Sequence, residues 1–310
     1  MANQQALAKN LSTGIFAFPA TPFAADGTLD GATLESHVAA IAAARPVALV
    51  PAGGAGELFS INVDEHNEVI RTTVGAASGL PVVAGIGGGL GAARQQARNA
   101  ERAGADALLL LPPYLVNSEQ EGLAAYVRGV ASSTDLPLIV YSRDNGVFRV
   151  DTLLKLADSC PSVIGVKDGT GDLDLVLETR RRTFGRLLVV NGAPTAEMLA
   201  AQTFAIGVTA YSSAVFAFAP AIAQAFYDAV VAEDRSRQDQ MLDGFFSPYS
   251  RIRRRRAGNA VSIVKAGLKV TGQAAGPVRP PLLDLNDGDC AELAALIEAG
   301  NTIARQRRVA

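Results

Sequence analysis

Eight short apolar runs punctuate the chain between residues 14 and 209, each followed by a stretch of different periodicity. They are Gly14–Phe18, Val47–Val50, Pro81–Ile86, Ala107–Leu111, Leu136–Tyr141, Val163–Lys167, Leu187–Val190 and Ala205–Thr209. Strands that are apolar throughout, with no polar alternation, belong to a parallel sheet covered on both faces. Between them, Leu34, Val38 and Ile41 recur at helical spacing after Asp30, as do Leu173, Val176 and Leu177 after Asp172. Each aspartate stands where an N-cap belongs. Eight βα units at intervals of about 20–35 residues predict an α/β protein, a (β/α)8 TIM barrel.

The strand signals stop near residue 232, and helical segments follow, interrupted by a turn-rich stretch over 272–281. The expected organisation is a barrel over 1–232 with a C-terminal helical extension over 233–310 packed on it. The run Arg251–Arg256 is the one strong basic cluster, read as a solvated helix face or a subunit contact.

With 49% apolar and 19% charged residues, the 310-residue chain has ample material for one large core. A net charge of −2 argues against a nucleic-acid partner or a membrane surface. No uncharged apolar span or signal-like N-terminus is evident, and two distant cysteines without a CxxC suit reduced thiols, so a cytoplasmic protein is expected. His37 and His66, the only histidines, both fall in helix-like segments. A histidine metal site or a Ser-His-Asp triad is therefore not expected, and no metal or organic cofactor is called for.

Chemistry in such barrels sits at the carboxyl ends of the strands. Strand 2 runs into Pro51-Ala-Gly-Gly-Ala-Gly-Glu57, where Gly54, Ala55 and Gly56 can offer backbone N–H groups to a carboxylate. That turn lacks the Gly-Lys-Ser/Thr of a P-loop, and Gly85–Gly91 fits no dinucleotide fingerprint. Strand 5 ends in Tyr141-Ser-Arg143, and a period of two lets Tyr141 and Arg143 face one side. Tyr141 can relay protons or pack the barrel mouth; Arg143 can clamp a carboxylate or pair with Asp144. Strand 7 ends at Asn191-Gly192, and strand 8 leads through Thr209 to Ser212; both can add small polar groups and backbone donors.

Lys167 stands out among these. Of 28 basic residues only five are lysines, leaving 23 arginines, and Lys167 ends the β-branched run Ser162–Val166. An amine with its stem in apolar surroundings favours the neutral form, which attacks a carbonyl to give a Schiff base. The alternative is a snorkelling lysine paired with Asp168 or Asp172. Lysine, tyrosine and arginine with no metal ligands suit carbonyl chemistry on a small anionic keto acid.

Taken in order, Gly53-Gly-Ala-Gly-Glu57, Pro112-Pro-Tyr114, Tyr141 and Gly165-Val-Lys-Asp-Gly-Thr-Gly171 resemble the dihydrodipicolinate synthase / N-acetylneuraminate lyase family. The resemblance covers nearly the whole chain. It implies that Lys167 is the Schiff-base lysine, that Tyr141 moves protons, and that Gly54–Gly56 receives the carboxylate beside the keto group. Gly54 and Ala55 replace two threonines usual in the lysine-forming synthases, and Leu115 a second tyrosine, which argues against that activity; Tyr141-Ser-Arg-Asp-Asn145 and Lys167-Asp-Gly-Thr-Gly-Asp172 resemble instead the decarboxylating sugar-diacid dehydratases. The resemblance then implies a keto-deoxy sugar diacid as substrate and a homo-oligomer, often a tetramer. A keto-acid aldolase of the same family, or a barrel that binds sugar acids without turnover, are the other readings.

Overall fold

In the computed structural model, which describes residues 2–306, eight parallel strands form the sequence order β2-β1-β8-β7-β6-β5-β4-β3. They are β1 (Thr13–Ala17), β2 (Ala48–Leu49), β3 (Val83–Ile86), β4 (Ala107–Leu110), β5 (Leu138–Ser142), β6 (Val163–Asp168), β7 (Leu188–Asn191) and β8 (Thr209–Ser213). A single parallel bridge, Leu49↔Val82, joins β2 to the start of β3 and closes the ring. The expected (β/α)8 barrel is the observed one.

Alternation along each strand sorts the side chains into two cores. Phe16, Val50, Val83, Leu109, Ile139 and Leu188 fill the inside of the barrel. Ile15, Leu49, Leu108, Val140 and Val189 pack outward against the helical ring. Both faces are apolar, which is why the strands read as unbroken runs. The N-terminal helix Ala2–Asn10, which the apolar periodicity did not reveal, brings Leu7, Ala8 and Leu11 against the interior core.

The caps fall where the sequence put them. Asp30 accepts from Thr33 N, and Asp172 from Asp174 N and Leu175 N. Leu34, Val38 and Ile41 are buried, as is Val176, whereas Leu177 is exposed. The run Ala205–Thr209 is a different matter. Ala205 ends the short helix Ala200–Ala205, and Gly207 turns at φ +81° before β8 begins at Thr209. The strand therefore starts where it was expected to end, because a helix tail and a turn can be as apolar as a strand.

Beyond the barrel, the helices Arg235–Met241, Ser247–Arg255, Asn259–Val270 and Asp287–Arg305 follow, with a π-helical turn at Leu242–Phe246. Phe245 and Phe246 of that turn are fully buried, stacking with Tyr249 and Phe226 and seaming the helices to the barrel. Within the basic run, Arg255 pairs with Asp289 and Glu292 of the last helix.

His37 and His66 are both buried: His37 Nε2 accepts from Ala20 N at 3.2 Å, and a ring nitrogen of His66 lies 2.8 Å from Gly85 O. Burial lowers each from 6.5 to about 4. Between these values the unfolded chain binds more protons than the folded one, so stability is full above about pH 6.5 and is lost as pH falls toward 4. Denaturant titrations should show a loss on the order of 3 kcal/mol per ring at the acid end. His66→Gln should flatten part of that slope; an unchanged slope would contradict the assignment.

Candidate active site

The carboxyl ends of β5 and β6 bring the central pair together. In the ladder Leu138 stands opposite Val163, but Ile139 stands opposite Gly165, so the register shifts by one residue there. Without that shift Lys167 would pair with Ser142, whose side chain points outward and accepts from Phe148 N. With it, Lys167 pairs with inward-facing Tyr141. Ile164 is the extra residue, left without a partner on β5, and at Gly165, which follows it, a Cβ would come within 2.8 Å of Leu188 O.

Lys167 Nζ lies over the Tyr141 ring, 3.5 Å from its centroid, and 5.4 Å from that of Phe18. The lysine is 5% exposed. A cation over aromatic faces gains about 2 kcal/mol, while desolvating an ammonium costs several. Burial therefore holds the Lys167 amine below its ordinary value, despite the opposing pull of Tyr141. The phenol behaves conversely. Burial alone would raise it, but the charges of Lys167 and Arg143 outweigh that and lower it. A depressed phenol beside a depressed amine is a pair whose proton affinities are coupled.

Arg143 Nη1 donates to Tyr141 Oη at 3.1 Å, and its Nε to Asp144 at 2.7 Å. The two alternatives for this arginine thus coexist: an exposed ion pair on one edge, a bond to the site on the other. Gly169 lets Tyr141 and Arg143 lie close, since a Cβ there would meet Tyr141 Cε2 at 2.7 Å.

Gly192 is required for space. A Cβ would fall 2.6 Å from Lys167 Cγ and 2.7 Å from Nζ. Its N–H is not free for a ligand, because it donates to Asp168 O at 2.6 Å, while its carbonyl faces Tyr141 Oη at 3.4 Å. Asn191 points the other way: its amide donates to Ala196 O and accepts from Ala193 N, shaping the loop after β7. Thr209 lies at the opposite end of the barrel, where its hydroxyl meets Thr13 and Ser12 O. Both therefore leave the site, Thr209 because β8 starts four residues later than read and Asn191 because it faces the helices. Ser212, in step with interior Ala210, stays at the mouth, 3.5 Å from Asn191 O.

The turn after β2 sits across the mouth. Ala55 packs against the barrel interior, and Gly85 leaves room for the turn to lie flat, since a Cβ there would strike Ala52 O at 2.2 Å. Thr21 donates to Gly56 O at 2.6 Å. Among the described residues the N–H groups of Gly54 and Ala55 make no backbone bond, so both remain for a ligand. Strand-end reading overlooked Phe18 and Thr21, which follow β1, and the partners of Glu57. Only the rarity of lysine pointed toward Lys265.

The mouth of the (β/α)8 barrel thus holds a buried amine stacked on a phenol, and the family and relatives that the chain matches make it a lyase. The chain belongs to the Dihydrodipicolinate synthetase family, whose model matches residues 11–300. It is 47% identical over 296 residues to a probable 5-dehydro-4-deoxyglucarate dehydratase of Rhizobium rhizogenes, covering 96% of this chain and 98% of that one. A protein of the same name from Saccharopolyspora erythraea is 46% identical, covering 94% and 95%. Among solved structures, dihydrodipicolinate synthase from Bacillus clausii superposes with a TM-score of 0.87 at 27% identity, covering 95% of this chain and 99% of that one.

Removing the Arg143 cation should release the Tyr141 phenol toward higher pH. Ultraviolet phenolate titration of Arg143→Leu, differenced against Tyr141→Phe, should show one tyrosine titrating at higher pH than in the parent. No displacement would mean Arg143 does not tune the phenol.

Proposed function

We propose that the protein is a 5-dehydro-4-deoxyglucarate dehydratase, releasing water and CO2 to give 2,5-dioxopentanoate through an imine on Lys167. The observation that carries this reading is the Lys167–Tyr141 pair, a buried amine of depressed basicity stacked on a phenol whose own proton affinity is lowered. Relatives of that name at 47% and 46% identity, matched over nearly their whole length, support the substrate. 

The amine condenses with the C5 ketone, and the iminium draws off a C4 proton's electron pair to form an enamine. The enamine expels the C3 hydroxyl as water. The conjugated iminium then takes up the C1–C2 bonding pair as CO2 leaves. Protonation at C4, tautomerisation of the C2 enol to the aldehyde and hydrolysis of the imine return Lys167. Tyr141, with its hydroxyl between Arg143 and Gly192 O, is the group placed to shuttle the protons. The free N–H groups of Gly54 and Ala55 receive the carboxylate beside the keto group, Ser212 faces the chain of hydroxyls, and the remaining Arg143 donors reach the remote carboxylate.

Borohydride with substrate should add the reduced adduct to the peptide bearing Lys167, and Lys167→Arg should fold yet be inert, since a guanidinium stays protonated. Adduct on Lys155, or on no lysine, sinks the mechanism. Product analysis should find CO2 and 2,5-dioxopentanoate; pyruvate without CO2 would assign an aldolase. Activity should survive chelation, and loss restored by a divalent ion would refute metal independence.

Arg143→Lys should lower kcat/KM for the diacid by about 1.5–3 kcal/mol, the worth of a charged hydrogen bond. Imine formation with pyruvate, which has no remote carboxylate, should change little. Equal losses for both would make Arg143 a general support of the site.

A further inference from the structure

The carboxylate-receiving turn is continuous with a buried charge network that the chemistry above does not use. Glu57, the residue after Gly56, is fully buried and held at φ +54°. Its Oε1 lies 2.8 Å from Lys265 Nζ, on the helix Asn259–Val270 of the C-terminal extension. That contact is outside good hydrogen-bond geometry, so it acts through charge. Oε2 accepts from Arg279 N at 3.2 Å. Lys265, 3% exposed, donates to Pro277 O at 2.7 Å and sits over the Phe23 ring. The Arg279 guanidinium covers the same ring, donates to Ser60 O at 2.8 Å and pairs with Glu65.

We propose that the Glu57–Lys265 pair, supplied from the C-terminal extension, holds the Gly53–Gly56 turn in its carboxylate-receiving shape, making Lys265 a positioning residue for the substrate. The inference deepens the reading above and rests on it for the role of that turn.

Three of the four residues in the turn are glycines, which impose no backbone preference. Gly54 touches nothing that a Cβ would meet within 4 Å. Two backbone bonds close the turn, from Glu57 N to Gly54 O and from Leu58 N to Gly53 O, both at 3.2 Å, and the rest of its hold comes from outside. It is pinned immediately downstream: Gly56 O by Thr21, the Glu57 carboxylate by Lys265 and Arg279 N, and Ser60 O by the Arg279 guanidinium. Its two acids and two bases pair off, so the network adds no net charge beside the turn, and the contribution proposed for it is geometric. Apolar side chains can match the stability of a buried ion pair; the role proposed for this one is to fix a single arrangement of the turn, in which the Gly54 and Ala55 N–H groups have no backbone partner.

The test uses the full chain with Glu57→Gln and Lys265→Met combined, which removes both charges at similar volume and strands neither. Readouts are thermal unfolding, the pyruvate concentration giving half-maximal borohydride adduct on Lys167, the adduct rate at saturating pyruvate, and the adduct rate with acetone, which has no carboxylate. Half-saturating pyruvate should rise tenfold or more, with the saturated rate and the acetone rate unchanged. An unchanged half-saturation in the folded variant would overturn the proposal, as would equal losses with pyruvate and acetone. If the double variant does not fold, Lys265→Arg keeps the charge but cannot seat its larger head in the same slot. A several-fold rise is expected there, and none would likewise overturn the idea. Wild-type protein that forms no adduct with either pyruvate or the diacid substrate would instead sink the proposed reaction, and this inference with it.

Discussion

The parallel register of β5 against β6 is the constraint on which the site depends. A shift of one residue in a strand sends every side chain to the other face. Here the irregularity at Ile164 delays β6 by one position and turns Lys167 from the helix side into the barrel, opposite Tyr141. The consequence is chemical. Inside the barrel the amine is desolvated and stacked on a phenol, and each group shifts the other's proton affinity. Facing the helices, the same lysine would be far from any substrate.

Closeness of that kind demands small neighbours. Gly192 clears space for the lysine and Gly169 for the tyrosine and arginine. The surrounding loops also hold ordinary residues at positive φ, among them Ala52, Glu57, Asp144 and Thr195. Each such position costs about 1 kcal/mol or more and persists only where other contacts enforce it. At Glu57 those contacts come from Lys265 and Arg279, some two hundred residues away in sequence. The barrel mouth is therefore completed by the segment that follows the barrel, and the extension is part of the site's architecture.

The fold was legible because a doubly covered parallel strand has a distinctive signature, apolar at every position. Seven of the eight runs overlap the observed strands within a few residues. The eighth misled because Ala205-Ile-Gly-Val208 is a helix tail and turn of apolar residues, of which only Val208 is buried. That error carried Thr209 into the site. Asn191 was misplaced by a subtler cause: a residue at a strand's carboxyl end can face either way, and its side chain was needed to shape a loop. Lys167, Tyr141 and the glycine turn were found because their residue types are unusual for their positions.

Composition, apolar periodicity and residue types at strand ends determined the barrel, its order of elements and the candidate amine and phenol, since these follow from local patterns that solvent exposure imposes along the chain. Tertiary structure alone decided which face each strand end presents, the stacking of Lys167 on Tyr141, the direction of their proton affinities, and the hold of Lys265 and Arg279 on the turn. Those properties depend on distances of a few ångströms between residues far apart in sequence, and register, bulge and burial set them only once the barrel has closed.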